Sequence, residues 1–141
     1  MRGLLICVWA FTTAIGCMGC GKSGPVLLKI KGQVVKDGKN FVPEEGQAIQ
    51  IVFTPISPDG KPARNLYVAV VDNKTGSFFA AGQQLQGMPP GKYRAGIELR
   101  KGKKDLLGDK FNLEDSPFVF DIDEKTRPIV IDLDKGPENK S

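Results

Sequence analysis

Three cysteines carry the most reactive side chains of this chain, and all of them, Cys7, Cys17 and Cys20, fall within the first twenty residues. A thiolate can attack carbon, pair with a second thiol or bind a soft metal. Cys17 and Cys20 stand as a C-x-x-C pair, but a redox role needs a following helix in an alternating strand and helix pattern. Gly21-Lys22-Ser23-Gly24-Pro25 supplies neither. What precedes the pair is more telling. Arg2 is followed by an apolar run from Leu4 to Ala10, and small residues lead through Ala14-Ile15-Gly16 to Cys17. Small side chains let an extended backbone enter a signal peptidase, so residues 1–16 read as an export signal and the thiol as an acceptor of lipid. A membrane-spanning helix would need about 18 apolar residues, and Thr12, Thr13 and the glycines interrupt the run too soon. A buried core helix is no better supported, because the segment offers neither a polar face nor a cap.

The segment resembles a bacterial lipobox. That resemblance implies cleavage before Cys17, a diacylglyceryl thioether on its sulfur and usually an N-acyl chain. Such boxes favour Leu where this chain has Ala14, and Cys20, which follows Gly19, is the alternative site. Neither cysteine precedes an aspartate, so in a cell with two membranes the resemblance implies the outer one. Residues 17–26 then form the lipidated cysteine and a short tether that reaches at most about 30 Å. Two or three acyl chains make such an anchor stable.

The remaining composition excludes much chemistry. The chain has no histidine, which removes the commonest general base, the Ser-His-Asp triad and the imidazole ligands of catalytic zinc. A Ser-Lys dyad or a carboxylate pair is the hydrolytic chemistry left open, yet Ser77 and Ser116 fall at turns or strand starts that suit local backbone hydrogen bonds. No catalytic residue, cofactor or metal is therefore expected. Asp121, Asp123, Glu124, Asp132 and Asp134 stand near the ends of the last two strand-like runs. They lack a D-x-D-x-D-G loop for calcium, and Lys125, Arg127 and Lys135 are close enough in sequence to neutralise them. The remaining candidate is basic: Arg100, Lys101, Lys103 and Lys104 around Gly102 could meet anionic headgroups, a polyanionic glycan or an acidic partner, or form a solvated hairpin. The formal net charge is +4. Nucleic acid is not expected, given export and the lack of a binding motif.

A β domain must position these groups. Leu28, Ile30 and Val34 alternate with polar residues, as do Ile49, Ile51 and Phe53. Leu66 to Val71 is rich in β-branched and aromatic residues and Ser77 to Ala81 holds Phe78 and Phe79, while Tyr93 to Leu99, Phe118 to Ile122 and Ile129 to Leu133 repeat the period of two. Seven runs broken by Gly, Pro, Asp and Asn predict an all-β fold, an antiparallel β-sandwich over residues 27–136 with a flexible tail at 137–141. Asp37-Gly38 offers a tight turn needing positive φ, and Pro58-Asp59-Gly60-Lys61 a longer loop. Only Lys103 to Leu113 could make a turn or two of helix.

Gly32-Gln33-Val34 with Gly38-Lys39, Val52-Phe53-Thr54-Pro55, Asp72 with Gly76 and Phe78, Pro90-Gly91-Lys92-Tyr93 and Ser116-Pro117 carry a further likeness. With them the chain resembles small bacterial envelope lipoproteins bearing a carboxypeptidase-regulatory-like domain of the transthyretin-like, prealbumin-type sandwich. It departs where such proteins often carry Lys-Tyr, having Lys110-Phe111, and reads Val-Val-Asp where they tend to have Thr-Asp. The resemblance implies a non-enzymatic accessory module. The related hydroxyisourate hydrolase needs histidines and a Tyr-Arg-Gly-Ser tail that this chain lacks. The expectation is a lipid-anchored envelope protein that meets the membrane through its anchor and binds a protein partner, with a glycan-facing module as the alternative. An apolar, uncharged sheet edge would favour protein, although Lys29 and Lys31 could guard such an edge. Exposed aromatics such as Tyr67 or Tyr93 around a groove would favour glycan, but alternation turns Tyr93 toward the core with Ile97.

Overall fold

A computed structural model describes residue 24, residues 26–61 and residues 63–135. The leader, Cys7, Cys17, Cys20, most of the tether and the tail lie outside them. Each expected run forms a strand, and two short strands join them. They are β1 (Ile30–Lys36), β2 (Lys39–Asn40), β3 (Gln47–Pro55), β4 (Tyr67–Val71), β5 (Ser77–Ala80), β6 (Gly91–Lys101), β7 (Lys104–Asp105), β8 (Val119–Ile122) and β9 (Ile129–Asp132). Between Lys103 and Leu113 lie β7 and one 3-10 turn, Gly108–Phe111, and a second 3-10 turn spans Gln83–Leu85. Among the described residues no helix is long and apolar enough to cross a membrane.

The strands make one curled sheet whose halves face each other as a sandwich. In one half β5 and β9 flank β1, and β5 pairs onward with β4. In the other β4, β3 and β6 lie side by side, with β7 and β8 on β6. β4 belongs to both, because Tyr67 and Val68 pair with β3 whereas Ala69 to Val71 pair with β5. All pairings are antiparallel except one: β9 runs parallel to β1, Gly32 beside Ile129 through Val35 beside Asp132. Antiparallel sheets tolerate one wet face. Accordingly Ile49, Ile51 and Phe53 of β3 and Tyr93, Ala95, Ile97 and Leu99 of β6 point inward. Phe53 meets Phe78 and Phe120 across the core, with centroids 6.2 and 6.3 Å apart.

Asp37 and Gly38 close the first hairpin with φ of 52° and 69°. Positive φ at both central residues is the type I′ geometry whose twist matches the strands it joins. Gly96 serves packing instead. A Cβ there would stand 2.8 Å from Leu113 Cδ2, so the loop after Phe111 can lie on β6 only because position 96 has no side chain.

Candidate functional site

The described candidate site is the β6–β7 hairpin. Lys101 pairs directly with Lys104, leaving Gly102 and Lys103 as the two-residue turn. Gly102 has φ +62°, and glycine at the first central position is what a II′ turn requires. The structure brings Lys101, Lys103 and Lys104 to one exposed tip. Arg100 is tied down at the base, its Nε 2.6 Å from Glu98 Oε2. The nearby Asp105 is turned inward, where one carboxylate oxygen accepts the Leu99 and Leu107 N–H groups at 2.9 and 3.2 Å. Among the described residues no carboxylate lies within ion-pair distance of the three lysines. Like charges directly opposite across a pair destabilise it, so this tip would be relieved by an anionic partner.

The expected carboxylates do not converge with it. Asp121 stands beside Lys92 on β8 and β6. Asp123 accepts from the Lys125 N–H and the Thr126 hydroxyl within its own turn. Asp132 and Asp134 stand at the other end of β9, where Asp134 accepts the Asp37 N–H at 2.5 Å. Among the described residues no three Asp, Glu, His or Cys side chains form a metal-sized group. Ser116 Oγ donates to the Ala95 carbonyl at 2.5 Å inside the core, and Ser77 Oγ lies 2.7 Å from the Thr75 hydroxyl. Asp72 organises that same turn. Its carboxylate accepts the Lys74 N–H and the Thr75 hydroxyl, bonds that hold its pKa below the usual value.

A second feature, of which residue types and spacing carry no direct sign, lies at the other end of the molecule. There Leu28 exchanges two backbone hydrogen bonds with Met88, at 2.8 and 2.9 Å, just before β6 begins. Beside this bridge lies an open groove of about 570 Å³ lined by Leu27, Arg64, Leu66, Tyr67, Gln86 and Pro89 among others. Gly87, with φ +111°, lets the loop approach this closely, since a Cβ would stand 2.8 Å from the Leu28 carbonyl oxygen. Tyr93 braces the groove from beneath. Its hydroxyl donates to the Pro89 carbonyl at 2.7 Å, and burial, with a smaller contribution from Tyr67, pushes its pKa up to about 12. The available signal was the run from Leu66 to Val71, which is apolar on both faces of its strand. Such a run fits a fully buried strand or an exposed apolar stripe, and periodicity cannot choose.

Comparison of the chain with family models, with curated proteins and with solved structures finds no match.

Proposed function

We propose that this chain is a lipid-anchored, non-enzymatic protein of the cell envelope whose sandwich binds or assembles with an acidic protein partner. Export would place it outside the inner membrane, and acylation of Cys17, or alternatively Cys20, would hold it there, on the outer membrane where a cell has two. The likeness to carboxypeptidase-regulatory-like, transthyretin-like lipoprotein domains supports an accessory role. The observation that carries the partner reading is the hairpin's position. The tether joins beside the start of β6 and the lysine tip lies at its end, about 33 Å away along eleven extended residues. An uncompensated positive tip at that distance from the anchor suits a partner beyond the bilayer better than the headgroups beneath. Glycan binding has less support, because the exposed large apolar side chains of the described residues are all aliphatic.

Two measurements test the reading. Acyl labelling of the parent beside Cys17→Ser and Cys20→Ser should lose label in the Cys17 variant alone; label lost only in the Cys20 variant moves the anchor, and an unlabelled parent removes it. Capture from solubilised envelopes should recover a partner with the parent but not with Lys101→Glu/Lys103→Glu/Lys104→Glu. Equal recovery by both would exclude the tip as the contact.

A further inference from the structure

The tether end of the sandwich exposes aliphatic side chains that its own core does not use. Val26, Leu27, Leu66 and Leu85 are 54, 38, 46 and 52% exposed, and Leu27 and Leu66 line the same groove. Apolar residues scattered singly over a surface need no explanation, whereas a cluster around one concavity does. Leu85 adjoins the groove through its chain neighbour Gln86, which lines it, and is held at a cost. It and Gln84 both adopt left-handed backbone, with φ of 59° and 56°, a conformation that a bulky side chain rarely takes. Strain of this kind persists where a site rather than stability dictates the conformation. Folding alone gains nothing from bending the chain so that a leucine points into water.

The tether attaches at this end, and its reach indicates what would cover the cluster. Val26 is the last tether residue and Leu27 already belongs to the groove, while Cys17 stands nine residues and Cys20 six residues earlier. At full extension those spans reach about 30 and 20 Å, so an acylated cysteine keeps the bilayer within reach of this end. Leucine, valine and tyrosine beside an arginine suit the headgroup and upper acyl region, where an aliphatic stem is buried and a guanidinium can reach phosphate. Arg64 supplies that cation in the groove wall.

We infer that the tether end rests on the bilayer surface, with Leu66 and Leu85 seated among the headgroups and Arg64 at lipid phosphate. This rests on the anchored reading and adds an orientation to it. The anchor then does more than restrict diffusion: it holds β6 upright and presents the lysine tip on the far side.

The test is a lipid photo-crosslink. The full chain is placed in vesicles of phosphatidylethanolamine and phosphatidylglycerol, held by its own acyl chains. Where acyl labelling finds none, its Cys17 thiol is coupled to a maleimide lipid in a Cys7→Ser/Cys20→Ser background. The orientation is thus tested whether or not the cell acylates the chain. A benzophenone amino acid replaces Leu66, Leu85, Lys103 or Val130 in turn. Lipid adducts at positions 66 and 85 should exceed those at 103 and 130 by about fivefold or more. Equal yields at all four positions would mean that the domain tumbles on its tether, and higher yield at 103 would mean the reverse orientation. Adducts at 85 to a second copy of the chain would make the groove a protein interface. Each of these three outcomes overturns the proposal. Leu85→Gly keeps the backbone conformation without the side chain, so it should fold with an unchanged melting temperature or a higher one while the adduct yield at position 66 falls at least twofold. An unchanged yield there would remove Leu85 from the contact.

Discussion

Tyr67 and Tyr93 meet edge to face, with ring centroids 5.7 Å apart and planes at 81°. Tyr93 comes from the core face of β6 and Tyr67 from the strand that the two halves share, so this contact joins the sandwich's interior to its groove.

Alkaline pH should expose that arrangement. The Tyr93 phenol is neutral when folded and its pKa is raised from 10.0 to about 12. The stability this contributes is complete below pH 10 and is lost as pH rises from there toward 12, because the unfolded chain ionises first. Part of the phenolate absorbance should appear only well above pH 10, accompanied by unfolding. Tyr93→Phe should cost about 1 kcal/mol at neutral pH through the lost bond to Pro89 and flatten the alkaline limb; a single step at an ordinary tyrosine pKa would contradict this.

Two buried hydroxyls should respond with opposite signs. Ser116 is bonded to Ala95, whereas Thr54 Oγ1 is buried without a partner. Ser116→Ala should therefore lower stability by about 1–2 kcal/mol, and Thr54→Val, which removes an unsatisfied group at constant shape, should raise it by about 1 kcal/mol. Chemical denaturation of the two variants decides; a destabilised Thr54→Val would show that the hydroxyl is satisfied.

Position 96 should tolerate no side chain cheaply. Gly96→Ala puts a methyl against Leu113 and should cost about 1–3 kcal/mol, as overpacking does. Adding Leu113→Ala should recover much of that loss, and a double variant no better than the sum of the singles would argue that the two residues do not meet.

The lysine tip should prove separable from folding. Lys101→Glu converts a like-charged cross-strand pair with Lys104 into an opposite one, which should stabilise the hairpin by a few tenths of a kcal/mol. The same change should weaken partner capture. Stability rising while capture falls is the expected signature of a surface kept for binding; two losses together would mean that the hairpin is merely structural.

Much of the fold was legible because alternation of side chains reports one buried face directly. Ile49, Ile51 and Phe53 and the four inward residues of β6 announced themselves in this way, and Asp37-Gly38 could close only a tight turn. Partnership was not legible. Nothing in Ile129 to Asp132 says that β9 will run parallel to β1 instead of pairing with β8, its neighbour in sequence. Nor does Leu66 to Val71 reveal a strand divided between two halves, since both pairings use the same residue types. At the candidate site, the clustering of Arg100, Lys101, Lys103 and Lys104 was plain from their spacing, while the inward turn of Asp105 was not. The groove depends on Gly87 lying against Leu28, a close approach that no neighbouring residue announces.

The parallel join between β1 and β9 also fixes when the molecule can become complete. Its contacts span about a hundred residues, as in the bond from Asp37 to Asp134, 97 positions apart in the chain, and closing so long a loop comes late and slowly. Until then one side of β1 is an open row of backbone donors and acceptors, available to any other extended chain. Under the proposed export, a chain threaded across a membrane from its N-terminus would stay unfinished until its last strand arrives, which is the order of events that translocation requires.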